Sequence, residues 1–215
     1  MKRIGILGGT FNPIHNGHLA IAEKAKEQFA LDQVWFMPSG VPYMKNLHEV
    51  LPVSVRCELT ALAIRDIPYF ELSDMEAVAE GNTYTCRTLQ KLKSLHPDTD
   101  FYFILGADSL CAIEKWFHPE LIFQNCTILA AVRKEQMSAG QEPETSKQLL
   151  LKKQLEEQAR YLREKYCAAI QLMEMDGVDI SSTQIRTLLC KGQSIHGLVP
   201  ERVEACMLEN HLYQS

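Results

Sequence analysis

Two histidines in a glycine-rich stretch are the residues of this chain best suited to chemistry. His15 and His18 lie three positions apart in G-G-T-F-N-P-I-H-N-G-H-L, directly after a short apolar run. On the first turn of a helix, this spacing places both imidazoles on one side, where their N–H groups can stabilise charge that grows as a phosphoanhydride breaks. Glycines allow backbone to approach a ligand, and a new helix offers unpaired N–H groups. The segment therefore predicts a catalytic phosphate-binding loop.

Other interpretations of this loop are weaker. It matches neither G-x-x-x-x-G-K-[ST] nor G-x-G-x-x-G, which disfavours P-loop hydrolases and dinucleotide-binding dehydrogenases. A zinc site needs further ligands, and no Glu or Cys stands at a customary spacing, so we predict no protein-held metal. The structural alternative, with one histidine capping the helix and the other in the core, explains either residue alone better than the pair.

A second segment with phosphate-binding character is I-S-S-T-Q-I-R at 180–186. Its serines and threonine can cap a helix that Gly192 ends. Arg186, however, follows within the first turn, beside the positive end of the helix, where a structural role would favour an acid. An anion held between the helix end and the arginine accounts for this placement.

The elements that must position these segments alternate along the chain. Apolar runs without polar alternation are typical of strands covered on both faces, and helical periodicity separates them. The alternation predicts a doubly wound, mostly parallel α/β sheet, whose ligands bind beyond the carboxyl ends of the strands. The predicted strands are 3–8, 34–38, 101–105, 127–132 and 169–175, and the helices are 17–29, 53–66, 84–95 and 109–124.

The length of 215 residues predicts one domain, 1–215, since domains average roughly 150 residues. Residues 134–166 are interpreted as a surface loop plus helix insertion, and 200–213 as a C-terminal helix. The helix of 147–166 has its apolar residues on one face, which we expect to pack on the domain edge rather than form an oligomer contact. These apolar residues are Leu151, Leu155, Leu162 and Tyr166.

Composition excludes several classes of protein. With 46% hydrophobic and 23% charged residues the chain is neither disordered nor fibrous, and a net charge of −5 disfavours nucleic-acid and anionic-membrane binding. Seven cysteines without a C-x-x-C pair predict reduced, mostly buried thiols. The first apolar run is too short for a signal peptide, and no window approaches the ~18 apolar residues of a membrane span, so we expect a cytoplasmic protein.

The histidine segment resembles the signature of the H-x-G-H nucleotidylyltransferase superfamily, and specifically of the bacterial nicotinate-mononucleotide adenylyltransferases. The segment at 180–186 is similar to the I-S-S-T-x-I-R motif of this family, and the resemblance extends from residue 3 to Tyr213 apart from 134–166. It implies a Rossmann-like nucleotidylyltransferase fold. The implied reaction transfers the adenylyl group of ATP, with Mg²⁺, to nicotinate mononucleotide, giving deamido-NAD and pyrophosphate without a covalent intermediate, in NAD biosynthesis.

The resemblance also implies roles for individual residues. His15, His18 and Arg186 are the expected catalytic residues. Besides these three, the residues expected to contact ATP are Gly9, Thr10, Phe11, Gly106, Asp108, Ile180, Ser182 and Thr183.

For the mononucleotide, the family has main-chain amides in T-Y-T that receive the pyridine carboxylate and a tryptophan that stacks on the ring. Asp108 is placed to accept hydrogen bonds from ribose, and Lys45 and Arg133 to contact anionic groups. The expected substrate residues are thus Lys45, Thr83, Tyr84, Thr85, Asp108, Trp116 and Arg133. The sequence departs from the family pattern in three places: the family often has Asp where Asn12 and Arg87 stand, and Pro-His where Tyr43-Met44 stand.

Two alternatives stay open. One is a related nucleotidylyltransferase that uses nicotinamide mononucleotide or another phosphate acceptor, although Thr83-Tyr84-Thr85 and Trp116 disfavour phosphopantetheine, which has no ring to stack. The other is a non-catalytic nucleotide sensor that signals through the 147–166 helix. The presence of both histidines and Arg186 disfavours a sensor, because binding alone does not require transition-state donors. The oligomeric state is left open.

Overall fold

A computed structural model describes residues 1–40, 50–134, 146–176 and 180–214. Strands and helices alternate, with a 3₁₀ turn at Ile113–Lys115. The strands are β1 (Lys2–Gly9), β2 (Gln33–Pro38), β3 (Phe70–Leu72), β4 (Thr99–Gly106), β5 (Thr127–Lys134) and β6 (Ile170–Asp176). The helices are α1 (Asn16–Gln28), α2 (Val53–Ile64), α3 (Thr85–Leu95), α4 (Ala107–Ala112), α5 (Pro119–Asn125), α6 (Ser146–Tyr166), α7 (Ser182–Cys190) and α8 (Glu201–Glu209).

The six strands form one sheet in the order β3-β2-β1-β4-β5-β6. The pairs β2–β3, β4–β5 and β5–β6 are parallel, with Val34 opposite Phe70 and Ile128 opposite Ile170. This is the order of an open, doubly wound sheet. The predicted α/β fold class is confirmed.

Continuous burial explains why the strands lack polar alternation. In β5 the consecutive residues Ile128, Leu129 and Ala130 are all completely buried. Successive strand residues point to opposite faces, so burial of all three means that β5 is covered on both sides.

Contacts divide the chain into two compact units. The first unit comprises Met1–Ile6, Lys24–Asp32 and Tyr84–Val178, and the second comprises Leu7–Glu23, Gln33–Thr83 and Asp179–Ser215. Each unit has its own buried apolar residues, for example Leu89, Leu110 and Ile122 in the first and Phe36, Leu59 and Val203 in the second. One domain over 1–215 stays a prediction.

The predicted single helix over 109–124 is wrong, because α4, the 3₁₀ turn and α5 occupy this stretch. Trp116 has an extended backbone and His118 a left-handed one (φ 48°). Pro119 lacks the N–H that a helix interior requires, but it fits the first position of a new helix, where α5 begins. The three-residue strand β3 was not predicted, since it is too short to give a pattern.

The helix predicted at 147–166 is present as α6, which makes the crossover from β5 to β6. Neighbouring parallel strands such as β5 and β6 need a crossover connection, and a crossover helix buries one of its faces. This explains why the charged helix α6 has an apolar face. Leu155 and Leu162 are completely buried on that face, together with Ala159, whereas the side chain of Leu151 and residues 135–145 lie outside the described part of the chain.

The last helix is shorter than the predicted 200–213. Pro200 precedes α8, which ends at Glu209, and His211 and Tyr213 then take left-handed conformations (φ 50° and 62°) that a right-handed helix excludes.

The cysteines are free thiols, but the expectation that most are buried is wrong, since only Cys86 and Cys126 are. Among the described residues, none of the helices combines the length and the apolar character needed to cross a membrane.

Candidate active site

The loop after β1 holds the two histidines together at the start of α1. His15 immediately precedes the helix, and its carbonyl oxygen accepts the N–H of His18 at 2.9 Å. The two imidazole rings are stacked, with centroids 3.7 Å apart and planes inclined by 29°. His15 is only 4% exposed, whereas His18 is half-buried. The predicted pairing of the imidazoles is therefore present, with His18 as the more accessible ring.

A hydrogen bond within the pair assigns the tautomer of His18. Its Nδ1 accepts the main-chain N–H of His15 at 3.2 Å. A neutral imidazole that accepts at Nδ1 carries its proton on Nε2. His18 thus has a donor at Nε2, which is the group that a phosphoryl oxygen requires.

Gly17, between the two histidines, gives the His15 ring its space. A Cβ added at this position would lie 3.0 Å from Nδ1 and 3.1 Å from Cε1 of His15. The ring rests against the glycine backbone, which explains in steric terms why this glycine belongs to the motif.

We predict that Gly17→Ala lowers kcat of the expected reaction about tenfold while the protein stays folded. The new methyl group must displace the His15 ring by a few tenths of an ångström, and a 1 Å misplacement of reacting groups can cost about 10²-fold. In the helix itself alanine is favoured over glycine by roughly 0.5–1 kcal/mol, so the midpoint of thermal unfolding should not fall. Steady-state kinetics and a melting curve on the same sample check both parts; unchanged kcat would contradict the steric role.

Phe11 packs beneath His18 in an unusual backbone conformation. Its φ of 47° is left-handed, its side chain is buried, and its ring meets that of His18 edge-to-face with centroids 4.9 Å apart. Such a conformation in a non-glycine residue is retained where packing compensates its cost. Because the Phe11 ring is in the interior, the predicted contact of this residue with ATP is available to its main chain only.

The predicted cap of the second motif is confirmed. Ser181 Oγ accepts the N–H of Gln184 at 3.1 Å, and the Gln184 side chain accepts the N–H of Ser181 at 3.4 Å, forming a capping box at the start of α7. The helix ends at Cys190, and Gly192 follows with a left-handed φ of 66°. Ile180, just before the cap, is buried.

Side chains of α7 bind the histidine loop. Ser182 Oγ donates to the carbonyl of Pro13 at 2.8 Å, and Arg186 Nη1 donates to the carbonyl of Asn12 at 2.9 Å. Arg186 is the fifth residue of α7 rather than part of its first turn, but its Nη2 reaches back to Thr183 Oγ1 at 3.4 Å. The guanidinium is half-buried. Two motifs distant in sequence thus meet within the second unit.

Asn12 links the histidine loop to two other segments of the chain by hydrogen bonds. Its buried Oδ1 accepts the N–H of Leu51 at 3.1 Å and the hydroxyl of Tyr213 at 2.7 Å. The family that the sequence resembles often has an aspartate at this position, and an aspartate offers the same oxygen acceptor. The departure at position 12 therefore retains the acceptor that these two donors need.

Arg56 is a site-supporting residue that was not predicted. It is only 1% exposed, and its guanidinium donates to main-chain carbonyl groups around the histidine loop. Helical spacing was a usable signal, because Arg56 falls on the same face of α2 as the buried Leu59 and Ala63. The bonds run from Nε to Leu51 at 2.9 Å, from Nη1 to Thr10 at 2.7 Å, and from Nη2 to Ser39 at 2.7 Å and Gly40 at 2.9 Å.

In the first unit, β4 ends at Gly106, which is the N-cap of α4. Asp108 lies in the first turn of α4, and its side chain is exposed at the carboxyl end of β4, where it was predicted. An exposed carboxylate there can accept hydrogen bonds from ribose hydroxyls.

Aromatic residues of the first unit form two contacts. Trp116 is half-buried, edge-to-face with Phe103 of β4 at 6.2 Å. Tyr84, the N-cap of α3, lies 4.5 Å from the ring of Phe117, and the Arg87 guanidinium lies 5.4 Å and 5.5 Å from these two ring centres. Phe117 is 40% exposed and was missed by sequence reasoning, although its position next to Trp116 was a signal.

The remaining predicted substrate residues are less fully described. Thr85 is the first residue of α3 and Thr83 is half-buried in the second unit, whereas Lys45 lies outside the described residues. Arg133 was expected just past a strand at 127–132, but β5 continues to Lys134 and pairs Arg133 with Met175 of β6. Its side chain is not described.

Sequence comparisons identify the relatives of this chain. A profile of cytidylyltransferase-like proteins matches residues 6–188. A probable nicotinate-nucleotide adenylyltransferase of Lachnoclostridium phytofermentans is 41% identical over 99% of this chain and 100% of the relative. One of the same description from Citrifermentans bemidjiense is 39% identical over 98% of both chains. This chain belongs to the nicotinate-nucleotide adenylyltransferase family.

Solved structures support the fold of this family member. The nicotinic acid mononucleotide adenylyltransferase of Plasmodium falciparum, complexed with NaAD, superposes with a TM-score of 0.73 at 22% identity, over 99% of this chain and 98% of that one. The same protein complexed with APC gives a TM-score of 0.69 at 21% identity, with the same coverage. The recognition made from the H-x-G-H segment is confirmed.

The described residues of this adenylyltransferase contain no group of three or more His, Cys, Asp and Glu side chains arranged to hold a metal ion. The roles of the individual residues stay predictions.

Proposed function

We propose that this adenylyltransferase joins the 5′-phosphate of nicotinate mononucleotide to the α-phosphorus of ATP. A phosphate oxygen of the mononucleotide forms a bond to the α-phosphorus. The bond between this phosphorus and the α–β bridging oxygen breaks, and the electron pair leaves with pyrophosphate. The second product is deamido-NAD.

The observation that carries this proposal is the contact between α7 and the histidine loop. Arg186 binds the carbonyl of Asn12 at 2.9 Å, three residues before His15, and the rings of His15 and His18 are stacked. A cation, two imidazoles and the N-terminus of α7 are therefore held in one unit, which suits a triphosphate.

The chemical step needs positioning and electrostatic stabilisation rather than a general base. The attacking phosphate is already an anion, and its nucleophilic oxygen has no proton to lose. The Nε2–H of His18 and the guanidinium of Arg186 would donate to oxygens on which charge grows as the anhydride breaks. His15 would hold the His18 ring by stacking and through its N–H bond to Nδ1.

The start of α3 and the tryptophan of the first unit support the pyridine specificity. No side chain caps the start of α3 at Tyr84, and N–H groups at the start of a helix are the donors that a carboxylate would accept. A carboxamide would instead direct its NH₂ donor at these donors, a mismatch that discriminates strongly in buried sites. Trp116 would stack on the flat, cationic ring.

Mg²⁺ would arrive bound to the triphosphate oxygens of ATP, since oxygen atoms are the ligands that this ion prefers, and it would neutralise part of their charge.

The free cysteines suit a reducing compartment, and we place the enzyme in the cytoplasm.

The test is to incubate the purified protein with ATP, Mg²⁺ and one acceptor at a time, and to measure pyrophosphate and dinucleotide. The acceptors are nicotinate mononucleotide, nicotinamide mononucleotide and phosphopantetheine. We expect pyrophosphate and deamido-NAD in equal amounts with the first acceptor and much slower turnover with the second. Pyrophosphate with none of them would refute the function and favour a nucleotide sensor.

A further inference from the structure

Tyr213 contacts the histidine loop, although the proposed reaction assigns it no role. It lies after α8 with a left-handed backbone, and its hydroxyl donates to Oδ1 of Asn12 at 2.7 Å. The two residues are 201 positions apart in the chain and belong to the same unit. Burial raises the pKa of Tyr213, so the hydroxyl keeps its proton at neutral pH and remains a donor.

Asn12 connects this tyrosine to the arginine of α7. Its side-chain oxygen accepts the hydroxyl of Tyr213 and the N–H of Leu51, while its main-chain carbonyl accepts Nη1 of Arg186 at 2.9 Å. Two donors on one buried oxygen fix the rotation of the side chain. The same residue therefore transmits the position of Tyr213 to the backbone that leads to His15.

We infer that Tyr213 is a positioning residue for adenylyl transfer, acting through Asn12 on the histidine loop and Arg186. The inference rests on the proposed function. Loss of the hydroxyl removes one of these two donors to Asn12 Oδ1 and leaves the other, the N–H of Leu51. The loop then samples geometries in which His18 and Arg186 no longer face the reacting phosphate together.

The first test is Tyr213→Phe, which removes the hydroxyl and keeps the ring. We expect kcat to fall about tenfold with KM for ATP nearly constant, because small displacements of catalytic groups reduce rate, by up to about 10²-fold for 1 Å. The matched control is Tyr69→Phe, which removes a phenol hydrogen bond of the same unit, to Glu23 at 2.6 Å, outside the histidine loop. Tyr213→Phe with wild-type kcat, or no slower than Tyr69→Phe, overturns the inference.

The second test asks whether Tyr213 acts through Asn12. Asn12→Leu replaces the carboxamide with an apolar side chain of similar size and so removes the acceptor. If the tyrosine acts through this oxygen, Tyr213→Phe will slow the wild type but will not further slow Asn12→Leu. Full additivity of the two losses would overturn the proposed route.

A spectroscopic measurement separates this inference from the proposed function. The ¹⁵N shifts of the His18 ring report the tautomer, which is Nε2–H while His15 donates to Nδ1. We expect Tyr213→Phe, but not Tyr69→Phe, to add the Nδ1–H tautomer as the loop loosens. If the wild type makes no dinucleotide, the proposed function fails, and unchanged His18 shifts in Tyr213→Phe would then overturn the inference independently.

Discussion

His18→Ala is expected to lower kcat by roughly 10²–10³, the usual cost of removing one donor to a developing oxyanion. His18 is the half-buried ring of the stacked pair, and its Nδ1 accepts the N–H of His15, so the donor proton of the ring is on Nε2. Since this contact strengthens in the transition state, kcat and kcat/KM should fall together and KM for ATP should change little.

The matched control is His196→Ala in the same unit. The His196 side chain is 78% exposed, and its Nδ1 lies 3.3 Å from the half-buried Glu204, so its removal should leave kcat unchanged. Both variants should retain the melting temperature of the wild type within a few degrees. Pyrophosphate release measured at saturating ATP checks the prediction, and near-normal turnover by His18→Ala would refute the proposed role of this residue.

Arg56→Met is expected to lower the free energy of unfolding by about 3 kcal/mol. Methionine replaces much of the apolar stem but leaves four main-chain carbonyls of the site loops without the guanidinium, each at a cost of roughly 1–3 kcal/mol if it stays dry. Burial lowers the pKa of Arg56, and release of this desolvated charge offsets part of the loss.

The matched control for Arg56→Met is Arg202→Met. Arg202 belongs to the same unit, and its 52% exposed side chain pairs with the 70% exposed Asp66 at 3.2 Å, an arrangement worth about 0–1 kcal/mol. Urea unfolding monitored by circular dichroism measures both variants. Equal midpoints would show that the buried guanidinium adds no stability. Arg56→Lys, which keeps a charge but loses the forked geometry, should fall between the wild type and Arg56→Met.

Local pattern accounts for the parts of the fold that were predicted correctly. The apolar run before Gly8 and the run at 127–132 are β1 and β5, because strands covered on both faces need uninterrupted apolar residues. Reasoning from local pattern failed at 109–124. There the helical periodicity of the side chains continues across Pro119, but the helical backbone is interrupted. The three residues of β3 pair through main-chain groups, which any sequence carries.

The chain by itself determined the fold class, the histidine loop and the capped helix with Arg186, since each depends on residues that are neighbours in sequence. Only the tertiary structure decided which carbonyl groups the buried Arg56 binds and that Tyr213 binds Asn12. These contacts join positions 46 and 201 residues apart, and they pair common donors with common acceptors. A hydrogen bond of that kind leaves no periodic trace in sequence, because its partners are selected by packing.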